Sequence, residues 1–220
     1  MSIVKPLSHS TDMPALKTRN LGLCDYQPVW DDMCDYTQRR DNNSPDQIWY
    51  LQHEPVYTLG LNGKRHHLLQ PTDIPVIPVD RGGQITYHGP GQLVAYLLID
   101  IDRLNIGVKE LVSAIEQAII DYLADLGLDA ERMAGAPGIY INGAKIAALG
   151  LRVKKGRTYH GLSFNIDMEL APFTNINPCG YEGMPVTQLA DLLGVECPRL
   201  DEVKSALHIH LCRHLGYNAA

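Results

Sequence analysis

The Asn142-Gly143 pair constrains the fold more strongly than any other feature of the sequence. It separates two runs of alternating apolar residues, GIYI and AKIAALGLR, and an Asn-Gly pair in that setting is the strongest short-range signal for a β-hairpin. With these two residues as the loop, Tyr140 pairs with Lys145. A second turn at residues 154–156 (KKG) leads into TYHGLSFNID. The pattern therefore predicts consecutive strands joined by tight turns.

A long helix and a wholly apolar strand add to this arrangement. Between Val108 and Leu126, apolar residues recur at i, i+3, i+4 and i+7, and Gly127 follows, which predicts an amphipathic helix with a glycine at its C-terminal end. Residues 92–100 (QLVAYLLID) barely alternate, which is typical of a strand buried on both faces. Other helices are predicted at 27–40 and within 198–217, and other strands at 48–51 and 74–79.

These elements predict the fold class. Strands precede, follow and surround one long helix without a regular alternation of β and α, so we expect an α+β fold. Its sheet should be mixed but largely antiparallel and flanked by helices. The chain of 220 residues is long enough for one sizeable core, and nothing in it forces a division. We therefore treat residues 1–220 as a single domain.

Composition and charge exclude several functional classes. The net charge of −6 argues against broad binding of nucleic acid, because neutralising phosphates requires a clustered excess of Lys and Arg. The longest apolar run, residues 93–101, is interrupted by Asp100 and is too short for a bilayer, so no membrane segment is expected. The start of the chain lacks the apolar core of a secretion signal, and the five cysteines include no CxxC pair. Reduced thiols in the cytoplasm are therefore expected.

One local segment departs from the acidic balance of the chain. Residues 152–157 (RVKKGR) place four cations in six positions. Such a segment can bind an acidic partner or a phosphate group, and it can equally be a solvated hairpin tip that charge keeps soluble. The spacing alone leaves both interpretations open.

The glycine-rich segment RGGQITYHGPGQ, residues 81–92, is the first candidate for a binding site. Its glycines allow a backbone to turn sharply and to approach a ligand closely. The segment is neither a P-loop nor a GxGxxG fingerprint, and the alternative is a long turn between two strands. His88, in the same segment, can titrate, donate a hydrogen bond or merely pack.

Lys145 is the second candidate. It lies among small residues, in AKIAALG, a pattern that weakens the packing of a strand and leaves room beside the backbone for a flat acyl or nucleotide group. The alternative is a lysine on an edge strand that discourages aggregation.

Cys179 is the third candidate, and it differs from the other four cysteines. Cys34 and Cys212 lie in helical patterns and Cys197 lies beside Val195, so each is interpreted as a small hydrophobic residue. Cys179 instead follows a proline and precedes a glycine in NINPCG, a constrained loop. A free thiol with a pKa of about 8.5 is only slightly ionised at neutral pH, so a nucleophilic cysteine needs a cation or base beside it.

The four motifs RGGQITYHGPGQ, GIYINGAKIAALGLR, HGLSFNID and NPCG resemble, in order and spacing, those of the lipoyl(octanoyl) transferases of lipoate synthesis. The resemblance covers about residues 49–189. It implies the fold of the biotin/lipoate protein ligases, which is similar to that of class II synthetases. It also implies an acyltransferase of the 2.3.1 class, which moves an octanoyl or lipoyl group through an acyl-cysteine thioester.

The resemblance further implies roles for individual residues. Cys179 is the implied nucleophile, and Lys145 acts with it as a dyad. The implied substrate-binding residues are Arg81, Gly82, Gly83, Gln84, Ile85, Thr86, Tyr87, His88, Ala148, Leu149, Gly150, Gly161, Leu162 and Ser163. Ser163 stands where an alanine is also familiar.

The implied donor is octanoyl acyl-carrier protein. The implied acceptors are lysines of the lipoyl domains of 2-oxoacid dehydrogenase complexes and of the glycine cleavage H protein. No cofactor, metal or ATP is expected, because a thioester donor is already activated.

Three alternatives remain open at this point. An ATP-dependent lipoate ligase of the same fold would use a lysine like Lys145 but would have no use for a nucleophilic cysteine. A cysteine octanoyl amidotransferase would differ only in its donor. A non-catalytic module that binds a carrier protein would depend on the RVKKGR segment and not on Cys179.

Overall fold

A seven-stranded sheet organises the fold in the computed structural model, which describes residues 16–177 and 183–218. The strands are β1 (Lys17–Cys24), β2 (Gln47–His53), β3 (Val56–Leu59), β4 (Val76–Pro78), β5 (Ile85–His88), β6 (Gln92–Leu98), β7 (Glu131–Met133), β8 (Ala136–Ile141), β9 (Ala144–Lys154) and β10 (Arg157–Asn165). The helices are α1 (Tyr26–Arg39), α2 (Ile101–Leu104), α3 (Val108–Asp125), α4 (Leu189–Leu193) and α5 (Leu200–Leu215). Short 3₁₀ turns lie at Arg65–His67, Ala171–Asn175 and Gly194–Glu196.

The strands form two sheets. The large sheet has the order β1-β2-β6-β10-β9-β8-β7, and the small sheet has the order β4-β3-β5. All neighbours are antiparallel except β1 with β2 and β3 with β4. The α+β class with a mixed, largely antiparallel sheet is therefore confirmed.

The register at the first hairpin agrees with the turn chemistry. Asn142 and Gly143 have φ values of 51° and 78°, as expected for the two central residues of a type I′ turn. Tyr140 pairs with Lys145, as predicted. Because β9 lies between β8 and β10, Lys145 belongs to an interior strand. The alternative of an edge-strand lysine is wrong.

The large sheet is covered on both faces, which explains the apolar run of β6. Leu93, Ala95 and Leu97 belong to the core cluster that also contains the apolar faces of α3 and α5. Val94 and Tyr96 belong to the cluster on the opposite face, where α1 packs. The strand predicted to be buried on both faces is confirmed. Among the described residues, we find no helix with the length and apolar character needed to cross a bilayer.

The sequence interpretation missed four strands, namely β1, β3, β5 and β7. The glycine-rich segment is not simply a long turn, because it contains β5, which pairs with β3 through partners about 30 residues away. The parallel edge strand β1 is largely exposed, so it lacks the alternation that reveals a half-buried strand. The predicted strand at 74–79 is shorter, with only Val76–Pro78 in β4.

A buried ion network ties the ends of several elements together. Asp46 is fully buried, with its carboxylate 3.8 Å from the guanidinium of Arg40 and 3.7 Å from that of Arg103. The hydroxyl of Tyr217 and the backbone N–H of Asp100 also donate to it, at 2.6 and 2.8 Å. Burial outweighs these partners and raises the pKa of the Asp46 carboxyl. Removing the carboxylate leaves the buried Arg40 without its ion-pair partner and leaves Arg103 with Asp100 alone.

We expect Asp46→Ala to lower the free energy of unfolding by about 3–5 kcal/mol, the usual cost of removing one partner from a buried ion pair. The matched control is Asp201→Ala, since the side chain of Asp201 is 83% exposed in its pair with Lys204 and exposed pairs contribute about 0–1 kcal/mol. Urea unfolding monitored by circular dichroism measures both. Equal losses in the two variants would contradict a structural role for the network.

Candidate active site

A cleft lies between the large sheet and the small sheet. It contains about 750 Å³ of space that no atom fills, a figure that includes the open solvent at its mouth. Alternate residues of β6 form part of its floor, namely Gln92, Val94 and Tyr96. In β10, Ser163 lies opposite Val94 in register and lines the same floor. The cleft therefore follows the strands of the large sheet.

Strand β9 gives the cleft two distinct ends. Lys145 lies at one end, and Gly150 lies at the other, five residues further along the strand. At about 3.3 Å per residue, these two positions are roughly 16 Å apart. The end beside the amine is called the lysine end here, and the opposite end is called the arginine end because Arg81 lies against Gly150 there.

The amine of Lys145 is buried at the lysine end. The residue is only 3% exposed, and its Nζ donates to the carbonyl of Pro137 at 3.2 Å. The same Nζ lies 5.1 Å from the ring centroid of Tyr140. A Cβ on Gly138 would be 3.4 Å from Nζ and only 2.6 Å from the carbonyl oxygen of Ala147. Glycine at this position therefore makes room for the lysine side chain.

Cys179 lies outside the described residues, so its distance from Lys145 stays a prediction. The segments on either side of residues 178–182 are described. On one side, Val186 forms a bridge with the backbone of Lys145. On the other side, Ile176 belongs to the apolar cluster against which Val186 also packs. Both flanking segments are thus anchored near the lysine end of the cleft.

The glycine-rich segment forms the wall at the arginine end. The N–H of Gly82 donates to the carbonyl of Leu151 at 3.0 Å. A Cβ on Gly150 would lie 3.1 Å from both Cδ of Arg81 and the carbonyl oxygen of Gly82, so glycine allows this close contact. The guanidinium of Arg81 donates to the carbonyl and hydroxyl of Thr58 at 2.8 Å. The wall is fixed to both sheets.

His88 faces the cleft as a neutral imidazole. The amide nitrogen of Gln92 donates to Asn165 and to the carbonyl of Tyr87, so its oxygen accepts from Nδ1–H of His88 at 2.7 Å. Burial, together with the nearby His53, lowers the pKa of His88 to about 3. At neutral pH His88 therefore supplies no positive charge for a thiolate.

The cleft brings together most of the residues that the resemblance implied. All of the implied substrate-binding residues line it except Gly82 and Tyr87. The ring of Tyr87 instead packs against Tyr57 and Phe173, with centroids 5.5 Å apart in both pairs. The sequence interpretation missed other lining residues, which are Tyr26, Gln92, Val94, Tyr96, Ala147, His160, Asn165, Phe173 and Val186. Gln92, Ala147, His160 and Asn165 lie within the motifs named above, but the others carry no local signal.

No metal site accompanies the cleft within residues 16–177 and 183–218, where no group of three or more His, Cys, Asp or Glu side chains is arranged to hold a metal ion. The cysteines described there, Cys24, Cys34, Cys197 and Cys212, form no disulfide.

Comparisons with known proteins identify the relatives of this chain. Residues 30–211 match a family model described as the lipoyl protein ligase A/B catalytic domain. The chain is 56% identical to an octanoyltransferase of Stutzerimonas stutzeri over 199 residues, which cover 90% of each protein. It is 60% identical to an octanoyltransferase of Thiobacillus denitrificans over 179 residues, covering 81% of this chain and 82% of that protein.

Solved structures share the fold at low sequence identity. Lipoate-protein ligase A bound with ATP superposes with a TM-score of 0.72 at 16% identity, covering 94% of this chain and 87% of the ligase. Biotin protein ligase from Aquifex aeolicus superposes with a TM-score of 0.55 at 11% identity, covering 91% of this chain and 69% of the ligase. The predicted biotin/lipoate protein ligase fold is confirmed.

Proposed function

The chain belongs to the lipoyl protein ligase A/B catalytic-domain family, and from that membership we propose that it is an octanoyltransferase of lipoate synthesis. The relatives named octanoyltransferase are similar to this chain over most of their length. The observation in the molecule that supports the proposal best is the buried amine of Lys145 at one end of the cleft. An acyl chain can lie in such a cleft with its carbonyl carbon beside the amine.

We propose octanoyl acyl-carrier protein as the donor. The acceptor is a lysine of a lipoyl domain, in 2-oxoacid dehydrogenase complexes or in the glycine cleavage H protein. A thioester carries its own activation, so the reaction uses neither ATP nor a cofactor. With its reduced cysteines, the protein acts in the cytoplasm.

The reaction has two steps. The thiolate of Cys179 attacks the carbonyl carbon of the donor, the bond to the carrier's sulfur breaks, and the ammonium of Lys145 gives its proton to the departing thiolate. The amine of the acceptor lysine then attacks the acyl group on Cys179. Its proton goes to the neutral Lys145, and the bond to Cys179 breaks to restore the thiolate. The products are an amide and the carrier's thiol.

The direct test of this function combines octanoyl acyl-carrier protein and a lipoyl domain, with and without ATP. We expect octanoylation of the lipoyl-domain lysine at the same rate in both mixtures. Strict dependence on ATP would favour the ligase alternative. Transfer from an octanoylated H protein but not from the acyl-carrier protein would favour the amidotransferase.

Two basic surfaces offer docking sites for an acidic carrier, and they differ in their distance from the lysine end of the cleft. In the hairpin segment, Arg152, Lys154 and Lys155 are exposed, but Arg157 forms an ion pair with Asp100 at 3.3 Å. Lys154 lies nine residues from Lys145, roughly 30 Å along β9.

The second surface lies around Lys64 and His66, which are both exposed. The backbone carbonyl of the neighbouring His67 accepts a hydrogen bond from the N–H of Asn177 at 2.9 Å. In the sequence, Asn177 stands two residues before Cys179. A carrier on this surface can therefore present its thioester close to the nucleophile.

We expect Lys64→Glu to raise KM for octanoyl acyl-carrier protein several-fold at low salt, because it repels an acidic carrier. The matched control is Lys155→Glu, which makes the same charge change far from the lysine end. Steady-state rates with the carrier and with a small octanoyl thioester measure the effect. A larger rise in the hairpin variant would assign docking to the hairpin, and equal effects on both donors would indicate damage to the site.

A further inference from the structure

His160 has an unusual backbone conformation for a strand residue. Its φ is 60°, in the left-handed region that costs a residue other than glycine of order 1 kcal/mol or more. Such a conformation persists only where the surroundings fix it. The side chain is 1% exposed, and its Nε2 lies 3.1 Å from the carboxylate of Asp80. The indole N–H of Trp30 and the hydroxyl of Tyr159 also donate to Asp80.

The contact with Asp80 fixes which nitrogen of His160 carries hydrogen. Burial opposes ionisation of Asp80, but hydrogen bonds from His160 and Tyr159 outweigh it and hold the pKa of this carboxyl well below its usual range. Burial also lowers the pKa of His160. The neutral imidazole therefore donates from Nε2 to Asp80, and its Nδ1 accepts from the hydroxyl of Tyr26 at 3.5 Å.

His160 closes the arginine end of the cleft. In register it lies opposite Leu151, one residue beyond Gly150. Its ring is 6.1 Å from that of Tyr96, which lies on the neighbouring strand β6. We call Tyr26, Tyr96 and His160 the end wall, since all three line the cleft at the end farthest along β9 from Lys145.

The end wall directs its polar hydrogens into the protein. His53 donates from Nδ1 to the carbonyl of Cys24 at 3.0 Å, so its Nε2 accepts from the hydroxyl of Tyr96 at 2.7 Å. The N–H of His160 is held by Asp80. The wall therefore offers ring carbons and lone pairs to the cleft, and a hydrocarbon chain can end against it without leaving a buried donor unpaired.

The dimensions of the cleft suit a short acyl chain. The roughly 16 Å from Lys145 to Gly150 along β9 must hold the thioester, the chain and the rings of the end wall. An extended eight-carbon chain is about 9 Å long, from carbon–carbon bonds of about 1.5 Å. Each two further carbons would add about 2.5 Å and would drive the chain into the wall.

We propose that the end wall, with His160 held in place by Asp80, is the stop that limits the acyl group to about eight carbons. This inference rests on the proposed octanoyl transfer, and it makes His160 a specificity-determining residue. It requires no contact between His160 and the reacting atoms.

The variant His160→Gly tests the stop. Glycine adopts a φ of 60° without steric cost, so the variant should fold while the imidazole is removed. We expect kcat/KM for decanoyl and dodecanoyl donors, relative to octanoyl, to rise at least tenfold. The graded control is His160→Asn, which also tolerates the left-handed backbone but fills part of the space, and should give a smaller rise. If the glycine variant does not fold, the asparagine variant carries the test.

A second measurement separates this inference from the proposed function. Calorimetry with octanoate and dodecanoate gives the ratio of affinities without any transfer reaction, and this ratio should shift toward dodecanoate in His160→Gly. Absence of octanoyl transfer in the unsubstituted protein would refute the proposed function. The ratio of affinities would then show by itself whether the end wall limits the length of the acyl chain. An unchanged chain-length profile and an unchanged affinity ratio in His160→Gly would overturn the inference.

Discussion

Replacing Lys145 with arginine should reduce octanoyl transfer about 10²-fold or more, the usual contribution of a general acid–base. Arginine keeps the positive charge, but its guanidinium does not release a proton near neutral pH. It is also bulkier, and the lysine already passes close to Gly138, where even a Cβ would lie 3.2 Å from its Cε. Lys145→Met, which removes both charge and proton, should lose at least as much. Steady-state transfer from octanoyl acyl-carrier protein measures both variants.

The matched control for Lys145 lies on the same strand. Lys154 is exposed near the end of β9, so Lys154→Arg should leave transfer within about twofold. Octanoate binding and urea unfolding of Lys145→Arg show whether the site remains intact. A nearly normal rate for Lys145→Arg would mean that positive charge alone suffices and that proton transfer by this residue is unnecessary.

Replacing Cys179 with alanine should abolish transfer, with a loss of about 10³-fold or more, because the covalent route requires the nucleophile. Binding of octanoate should survive, since the described lining of the cleft is formed by other residues. Cys34→Ala is the matched control. Burial, together with the nearby Asp80, raises the pKa of the Cys34 thiol to about 11, so it is not a thiolate at neutral pH and its loss should leave the rate within about twofold.

The outcome for Cys179→Ala also distinguishes the alternatives. An ATP-dependent ligase would retain its activity with ATP in this variant. A non-catalytic carrier-binding module would show no transfer in either form and would bind the carrier equally well. Loss of transfer in the variant, beside ATP-independent transfer in the unsubstituted protein, is expected only of the acyl-cysteine route.

Local chemistry explains which parts of the fold could be predicted from the sequence. The register of β8 with β9 follows from Asn142-Gly143, whose two residues adopt the positive φ values that the turn requires. The helix α3 follows from its apolar period. In contrast, β5 owes its strand structure to pairing with β3, and no local pattern reveals such a partner.

The site could be predicted only in part, for a similar reason. The motif residues meet because β9 and the glycine-rich segment touch at Gly150 and Gly82. Tyr26 reaches the cleft only because α1 packs across the same face of the sheet. His160 begins the HGLSFNID motif, but its left-handed backbone could not be predicted because residues other than glycine adopt that conformation uncommonly.

The most direct test of the covalent mechanism is intact-mass spectrometry of the protein mixed with octanoyl acyl-carrier protein alone, without acceptor and without ATP. We expect the mass to rise by one octanoyl group, peptide mapping to place that group on Cys179, and addition of a lipoyl domain to remove it. The Cys179→Ala variant should gain no mass under the same conditions. Transfer of the octanoyl group by a protein that gains no mass, or an adduct on any other residue, would contradict the acyl-cysteine mechanism.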